Sequence, residues 1–323
     1  MKIRVFSAKS YDRVCIADAN RRHGFDIEYL EAALEPATVA LAQDADAICL
    51  FVNDRCDADI VHALADLGVR LVLMRCTGFN NVDLDTARQR GLCVTNVPAY
   101  SPYAVAEHTL AILLCLIRKI HKSYNRVREG NFSLDGLVGF DLHGKTVGVI
   151  GRALCGILGG FGCRVLVYDP FVQDVNPPAS ACDLETLWHE ADIISLHCPL
   201  TPDTHHLVDA EALSRMKDDV ILINTSRDGL IESGSVIQAL KTRKLGGLAI
   251  DVYEEESGLF FSDHSSDIIL DDRFERLMTF PNVVVTGHQA FLTREALRTI
   301  AETTLNSAAE FEAGATMSHL LTG

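Results

Sequence analysis

The stretch 144–170, GKTVGVIGRALCGILGGFGCRVLVYDP, restricts the fold more than any other part of the chain. The run 145–150 is mostly apolar and β-branched and ends at Gly151. A second such run, 164–168, ends in Asp169-Pro170. Between them Leu154, Ile157 and Leu158 recur at helical spacing. Strand, turn, helix and strand, with an acid closing the second strand, is how a dinucleotide-binding βαβ unit begins. The acid suits a ribose 2′-hydroxyl. The turn departs from that pattern. The G-x-G-x-x-G fingerprint follows the first strand directly, and its glycines let the backbone approach a pyrophosphate at a helix N-terminus. Here Gly151 is followed by Arg152, Ala153, Leu154 and Cys155 before Gly156. Asp169 also arrives a little sooner than the roughly 20 residues usual for the acid. The stretch has the frame of a cofactor site and lacks its phosphate loop.

The same alternation continues on both sides. Before it, strands are predicted at 2–7, 47–52, 70–75 and 93–97, and helices at 11–23, 56–67 and 83–91. Asp83 is the expected N-cap of the last helix and Gly91 its C-terminal stop. After it, strands fall at 192–197, 220–224, 247–252 and 283–286, and helices near 184–190, 209–217, 233–243 and 294–313. Short apolar strands alternating with helices imply mostly parallel sheets covered on both faces. The segment 98–102 breaks the pattern and is a candidate hinge. The expected fold is therefore α/β, with two doubly wound, Rossmann-like parallel-sheet domains and a cleft between them. Residues 1–99 with 292–323 form one domain, and 100–291 form the dinucleotide-binding one. A single long helix is predicted from 103 to about 128, apolar nearly all round over 110–117. A homodimer or homotetramer packed through that segment follows as an expectation. The acidic tract 260–273 reads as a surface loop.

Composition removes several function classes. A net charge of −15 argues against nucleic acid as a partner. No apolar run approaches the roughly 18 residues of a membrane span, and the N-terminus reads as a strand, so the expectation is a cytoplasmic protein. The ten cysteines include no C-x-x-C pair and sit mostly in apolar patterns. They read as reduced core residues, and no metal site is expected.

Three strand ends carry reactive side chains: N-T-S-R-D-G at 224–229, D-V-Y-E-E-E at 251–256 and T-G-H-Q at 286–289. In a doubly wound sheet, residues just past the strand C-termini face the ligand crevice. Arg227, Glu256 and His288 converging there suit a 2-keto acid. Arginine can hold the carboxylate bidentately and polarise the carbonyl. Histidine can donate a proton to the oxygen, and a neighbouring carboxylate keeps it charged until then. Taken singly each has a plainer reading, Arg227 as a surface cap, Glu256 as a solvated acid and His288 as a core histidine.

With these residues in place, the chain resembles the NAD-dependent D-2-hydroxyacid dehydrogenases, and within them the fermentative D-lactate dehydrogenases. The resemblance rests on VPAYSPYAVAEHT (97–109), REGNFSLDGLVGFDLHGKTVGVIG (128–151), YDP (168–170), SLHCPLTPDTHHLV (195–208), INTSR (223–227), DVYEEE (251–256) and HQAFLTREAL (288–297), and covers nearly the whole chain. It implies NAD as cofactor and a small 2-keto or 2-hydroxy acid as substrate. It implies Arg227 as the substrate arginine, His288 as the acid/base and Glu256 as its partner. Asp251 would lie near the nicotinamide amide. Gly78, in RCTGFNNVD, would lend backbone N–H groups to the substrate carboxylate, with Tyr100 and Phe291 lining the pocket. His197, Pro199 and Thr225 would line the cofactor cleft beside Gly151 and Arg152. Asp169 would bind the adenosine ribose.

Two departures bear on activity. The family's loop is of the G-T-G-x-I-G kind, and this sequence reads as though T-G-x-I-G were cut between Gly151 and Arg152. Asp228 replaces the usual glycine after the arginine and adds a negative charge beside an anion site. Three readings follow. The first is reduction of pyruvate to D-lactate. The second is a cofactor-poor relative that kept Arg227, Glu256 and His288 but lost the phosphate loop. The third is a dinucleotide-responsive protein-binding module.

Overall fold

A computed structural model describes residues 1–151, 154–171, 175–254 and 259–323. The chain divides into two compact units, Met1–Ser101 with Phe291–Gly323, and Pro102–Ala290.

The first unit is built on five parallel strands. In chain order they are β1 (Lys2–Val5), α1 (Ser10–Asn20), β2 (Asp26–Tyr29), β3 (Ala47–Leu50), α2 (Ala58–Asp66), β4 (Leu71–Met74), α3 (Leu84–Arg90) and β5 (Cys93–Thr95). The sheet order is β2-β1-β3-β4-β5. Every residue of β3 and β4 is buried, which explains their unbroken apolar sequences. Asp83 caps α3 by accepting from the Thr86 amide at 2.8 Å, and Gly91 ends it in the left-handed region at φ 72°. Both signals were legible in the sequence.

The second unit holds α4 (Pro102–Ile117), α5 (Ile120–Arg128), β6 (Thr146–Ile150), α6 (Cys155–Gly160), β7 (Arg164–Tyr168), β8 (Ala179–Ala181), α7 (Leu184–Glu190), β9 (Ile193–Leu196), α8 (Ala210–Arg215), β10 (Val220–Asn224), α9 (Ser233–Lys241), β11 (Leu245–Ile250), α10 (Asp272–Met278) and β12 (Val283–Val285). Its seven parallel strands run β12-β11-β10-β9-β6-β7-β8. Alternate residues serve opposite faces. Ile194, Leu196 and Leu222 join one core, whereas Ile193, Ile221 and Ile223 join the other. The chain then returns to the first unit as α11 (Arg294–Glu312), which packs on α1 through Ala301, Leu305 and Ala308.

The structure corrects several expectations. The long helix is two, because Lys119 adopts φ 52° between Ile117 and Ile120. Ile112, Leu113, Leu116 and Ile117 are buried against the unit's own sheet, so the apolar run 110–117 is covered mainly within the chain. The tract 260–273 is not all loop. Asp271 accepts from the Arg273 and Phe274 amides and starts α10, whose Leu277 is buried. The edge strands β2 and β8 carry too little apolar sequence to announce themselves. Of the ten cysteines, Cys49, Cys56, Cys76 and Cys163 are buried and the others are half-buried, with no disulfide among the described residues. Among those residues no helix is long and apolar enough to cross a membrane, and no group of three or more His, Cys, Asp or Glu could hold a metal.

Candidate active site

The sheet of the second unit sets eight of the candidate residues along one edge. Asp169 follows β7, Gly151 follows β6, His197 and Pro199 follow β9, Thr225 and Arg227 follow β10, Asp251 follows β11 and His288 lies just beyond β12. Since the strands are parallel, these are all C-terminal ends. The strand order reverses direction of growth between β6 and β9, the topological switch point where open α/β sheets bind ligands. Arg152 and Glu256 lie outside the described residues.

At β6 the backbone leaves no choice of residue. Gly151 has φ 102°, and a Cβ there would sit 2.8 Å from the His197 carbonyl oxygen. Its amide donates to the Tyr168 carbonyl at 3.0 Å. Asp169 accepts from the Phe171 amide at 3.0 Å, a local turn that fixes the carboxylate at the end of β7. His197 is half-buried and its Nε2 lies 2.8 Å from Ser195 Oγ. Desolvation pushes its pKa down to about 4, so the ring is neutral at neutral pH.

The Arg227 turn is shaped by its neighbours. Asn224 Nδ2 donates to the Arg227 carbonyl at 2.7 Å, and Asn224 Oδ1 accepts from the Ser226 amide at 3.0 Å. Ser226 Oγ donates to the Cys198 carbonyl at 2.7 Å, tying the ends of β9 and β10 together. Arg227 itself is half-buried, and among the described residues no carboxylate pairs with its guanidinium. Its Nη1 donates to the Ser226 carbonyl at 2.7 Å, and a guanidinium at a strand end suits an anionic substrate. Thr225 is buried and shares a 2.7 Å hydroxyl contact with Thr109 of α4.

Asp251 is fully buried, and its carboxylate organises the segment that carries His288. It accepts from the Gln289 and Ala290 amides at 2.9 and 2.8 Å and from the Thr286 hydroxyl, and lies 3.3 Å from His108 Nε2. Burial pushes this carboxyl up, but the hydrogen bonds from His108, Thr286 and the two amides outweigh it and hold it below the usual carboxylate range. These bonds frame His288, which takes φ 54°. His108 and Thr286 were not singled out from sequence. The available signal was a lone polar pair, Glu107-His108, on an otherwise apolar helix.

In the first unit, Phe51, Tyr100 and Phe291 form one aromatic group, with Phe291 centred 5.6 Å from Phe51 and 6.4 Å from Tyr100. Gly78 lies in a loop braced on both sides. Cys76 Sγ donates to its carbonyl at 3.2 Å, Thr77 Oγ1 donates to the Val97 carbonyl at 2.9 Å, and Asn81 Nδ2 donates to the Phe51 and Asp54 carbonyls at 3.0 and 2.7 Å. Beneath this loop, fully buried Arg75 sits with its guanidinium 5.0 Å from the Phe51 ring and Nε 3.4 Å from Asp12.

The residues present suit NAD at two of its parts. Asp169 would take the adenosine ribose, and the Thr225–Arg227 turn with the Asp251-held segment would border the nicotinamide end. The pyrophosphate part is different. The glycines that would bring a row of amides to it are missing, and the amide of Gly151 already serves Tyr168.

Comparison with known proteins agrees with this layout. Residues 110–290 match the family model described as the D-isomer specific 2-hydroxyacid dehydrogenase, NAD binding domain. The chain is 51% identical over 320 residues to 2-hydroxyacid dehydrogenase A of Aspergillus oryzae, covering 96% of this chain and 92% of that protein. It is 47% identical over 328 residues to the D-lactate dehydrogenase of Escherichia coli, covering 98% of each. A solved structure of the pyruvate reductase of Chlamydomonas reinhardtii superposes with a TM-score of 0.92 at 39% identity, over 99% of this chain and 98% of that one. Its two parallel-sheet units, its nucleotide-binding frame and its relatives together place the chain among the NAD-dependent D-isomer-specific 2-hydroxyacid dehydrogenases.

Proposed function

We propose that the chain reduces pyruvate to D-lactate with NADH. The observation that carries this reading is the placement of Arg227 and His288 just past β10 and β12, the two strands flanking β11, on the sheet edge that also bears Asp169. Arg227 holds the substrate carboxylate and polarises the keto group. His288 donates its proton to the carbonyl oxygen, and Glu256 is its carboxylate partner. The nicotinamide supplies the hydride. Asp251, His108 and Thr286 hold the His288 segment in shape. Gly78 offers backbone amides to the substrate carboxylate, and Phe51, Tyr100 and Phe291 bound the substrate's methyl end. The names of the Escherichia coli and Chlamydomonas relatives support pyruvate as substrate. We assign the protein to the cytoplasm and expect a homodimer or homotetramer.

The test is incubation with NADH and pyruvate, followed by chiral separation of the product. D-lactate formed in step with NADH loss supports the reading. L-lactate, or no pyruvate-dependent loss, rejects it. The shortened turn after Gly151 favours one second reading, a relative that binds NADH weakly and turns over slowly. Turnover that appears only at NADH concentrations far above the micromolar range distinguishes it.

A further inference from the structure

We infer that Phe261 is a positioning residue for His288, a ring platform that fixes the plane of the imidazole. The inference rests on the reading of His288 as the acid/base of the reaction. The two rings lie centroid to centroid at 5.6 Å, tilted by 41°. Both residues sit at positive φ, 66° for Phe261 and 54° for His288. A left-handed backbone is uncommon for histidine and a true outlier for a bulky aromatic residue. Such conformations persist only where surrounding structure over-determines them, and they gather at functional sites. Here two of them face each other through their side chains.

The surroundings show what holds each in place. His288 is framed by Thr286, Gln289 and Ala290, all bonded to buried Asp251. Phe261 is delivered by its neighbour Phe260, which is buried and packs edge-on to Phe274 of α10 at 6.1 Å. Tyr253, just past β11, packs edge-on to the same Phe274 at 5.2 Å. Phe260, Phe274 and Tyr253 thus anchor the segment, and the strained backbone of Phe261 turns the next ring toward His288. Burial alone does not explain this, because Phe261 is only half-buried while Phe260 already fills the core position.

The chemistry suits proton donation. An imidazole free to rotate about its last side-chain bond spreads its ring nitrogens over many directions. A ring packed beside it, tilted at 5.6 Å, restricts that rotation from one side. Phe261 need not touch the substrate to do this.

The test uses the full chain with 13C-labelled histidine. The His288 ring signal is identified by its loss in His288→Gln. Phe261→Leu, which keeps an apolar side chain and removes the ring current, is expected to shift the His288 signal selectively among the twelve histidines. Phe261→Tyr is expected to leave it near its original place. An unmoved His288 signal in a folded Phe261→Leu protein overturns the inference, whether or not the chain turns over. In turnover with saturating NADH, Phe261→Leu should lower kcat about tenfold, within the cost of misplacing a reacting group. KM for pyruvate should stay within about twofold, and Phe261→Tyr should restore kcat. A rise in KM alone with kcat unchanged also overturns it. Absence of pyruvate reduction by the wild-type chain counts against the functional reading, and the histidine signal then decides the Phe261 contact.

Discussion

His108, on α4, reaches across to the buried carboxylate of Asp251 at the end of β11, with Nε2 3.3 Å from Oδ1. The same carboxylate receives the amides that follow His288. One buried charge therefore links the α4 helix to the segment bearing His288. Asp251→Asn keeps the shape but replaces one acceptor oxygen by a donor, leaving at least one buried amide or hydroxyl poorly paired. We expect a loss of about 1–3 kcal/mol at pH 7. The sign of the pH effect follows from the folded carboxyl lying below its ordinary value. Its contribution is present above the unfolded pKa of about 3.9 and is lost as pH falls through the lower folded value. Urea unfolding of wild type and Asp251→Asn should thus differ most at neutral pH and converge below about pH 4.

His197 gives a prediction of the same sign at higher pH, this time from a base. Its folded pKa of about 4 lies below that of an ordinary histidine because desolvation disfavours the charged ring. The unfolded chain takes up a proton near pH 6.5, whereas the folded chain resists until near its lowered value. Stability should therefore fall as pH drops from about 6.5 toward 4, by up to roughly 3 kcal/mol from this residue. His197→Gln should flatten that part of the stability profile. A profile identical to wild type between those limits contradicts a neutral His197.

The chemical roles are checked by substitution at the strand ends. His288→Gln should reduce turnover by about 10²-fold or more, the range for a general acid. Arg227→Lys keeps a charge but loses the planar fork, so it should raise KM for pyruvate and slow turnover together. A His288→Gln enzyme with near-normal kcat would remove that residue from the proton transfer.

Much of this arrangement was readable before any coordinates. Strands buried on both faces, such as β3, β4, β9 and β10, declare themselves through unbroken apolar runs, and the parallel topology then places Arg227 and His288 at strand ends. Helix caps such as Asp83 and Asp271 are equally local, though Asp271 was hidden inside an acidic tract. The partners of Asp251 were not readable. His108 and Thr286 are far from Asp251 in sequence, and the polar pair Glu107-His108 on an apolar helix marks a polar site without naming its partner. Phe261 was hidden for a different reason. Its role depends on a left-handed backbone that no residue preference for phenylalanine foretells.

An oligomer would need a different surface from the one the sequence suggested. Since 110–117 packs largely inside the second unit, its apolarity no longer calls for a partner. The helix α5 has no buried residue, yet Ile120, Tyr124 and Val127 lie along it at helical spacing. Phe132, Leu134 and Val138 follow on the adjoining segment, 74%, 78% and 82% exposed. Such a concentration of exposed apolar side chains is the kind of surface an oligomer would bury. We expect light scattering to show a dimer or larger species, and Tyr124→Glu with Leu134→Glu to shift it toward monomer without unfolding. A wild-type monomer at micromolar concentration, where stable homo-oligomers persist, removes the expectation.

The turn after Gly151 decides how well the chain holds its cofactor. β6, Gly151, α6, β7 and Asp169 stand in the order of a dinucleotide site. What is missing is the loop whose backbone amides grip a pyrophosphate. Loss of two charge-assisted hydrogen bonds at roughly 1.5–3 kcal/mol each weakens binding by about 10²–10⁴-fold, at ~1.4 kcal/mol per decade. Arg152 supplies a charge but not a row of amides. We expect the chain to fold and bind NADH weakly. Inserting Thr-Gly-Arg-Ile-Gly between Gly151 and Arg152 should recover much of the affinity, because the flanking strands and Asp169 are already placed. The measurement is the NADH dissociation constant by fluorescence, with and without the insertion, on proteins of matched circular dichroism and verified mass. Micromolar binding by the chain without the insertion would mean that the pyrophosphate is held by other groups, and an inserted variant that gains nothing would mean that the frame around Gly151 has itself changed.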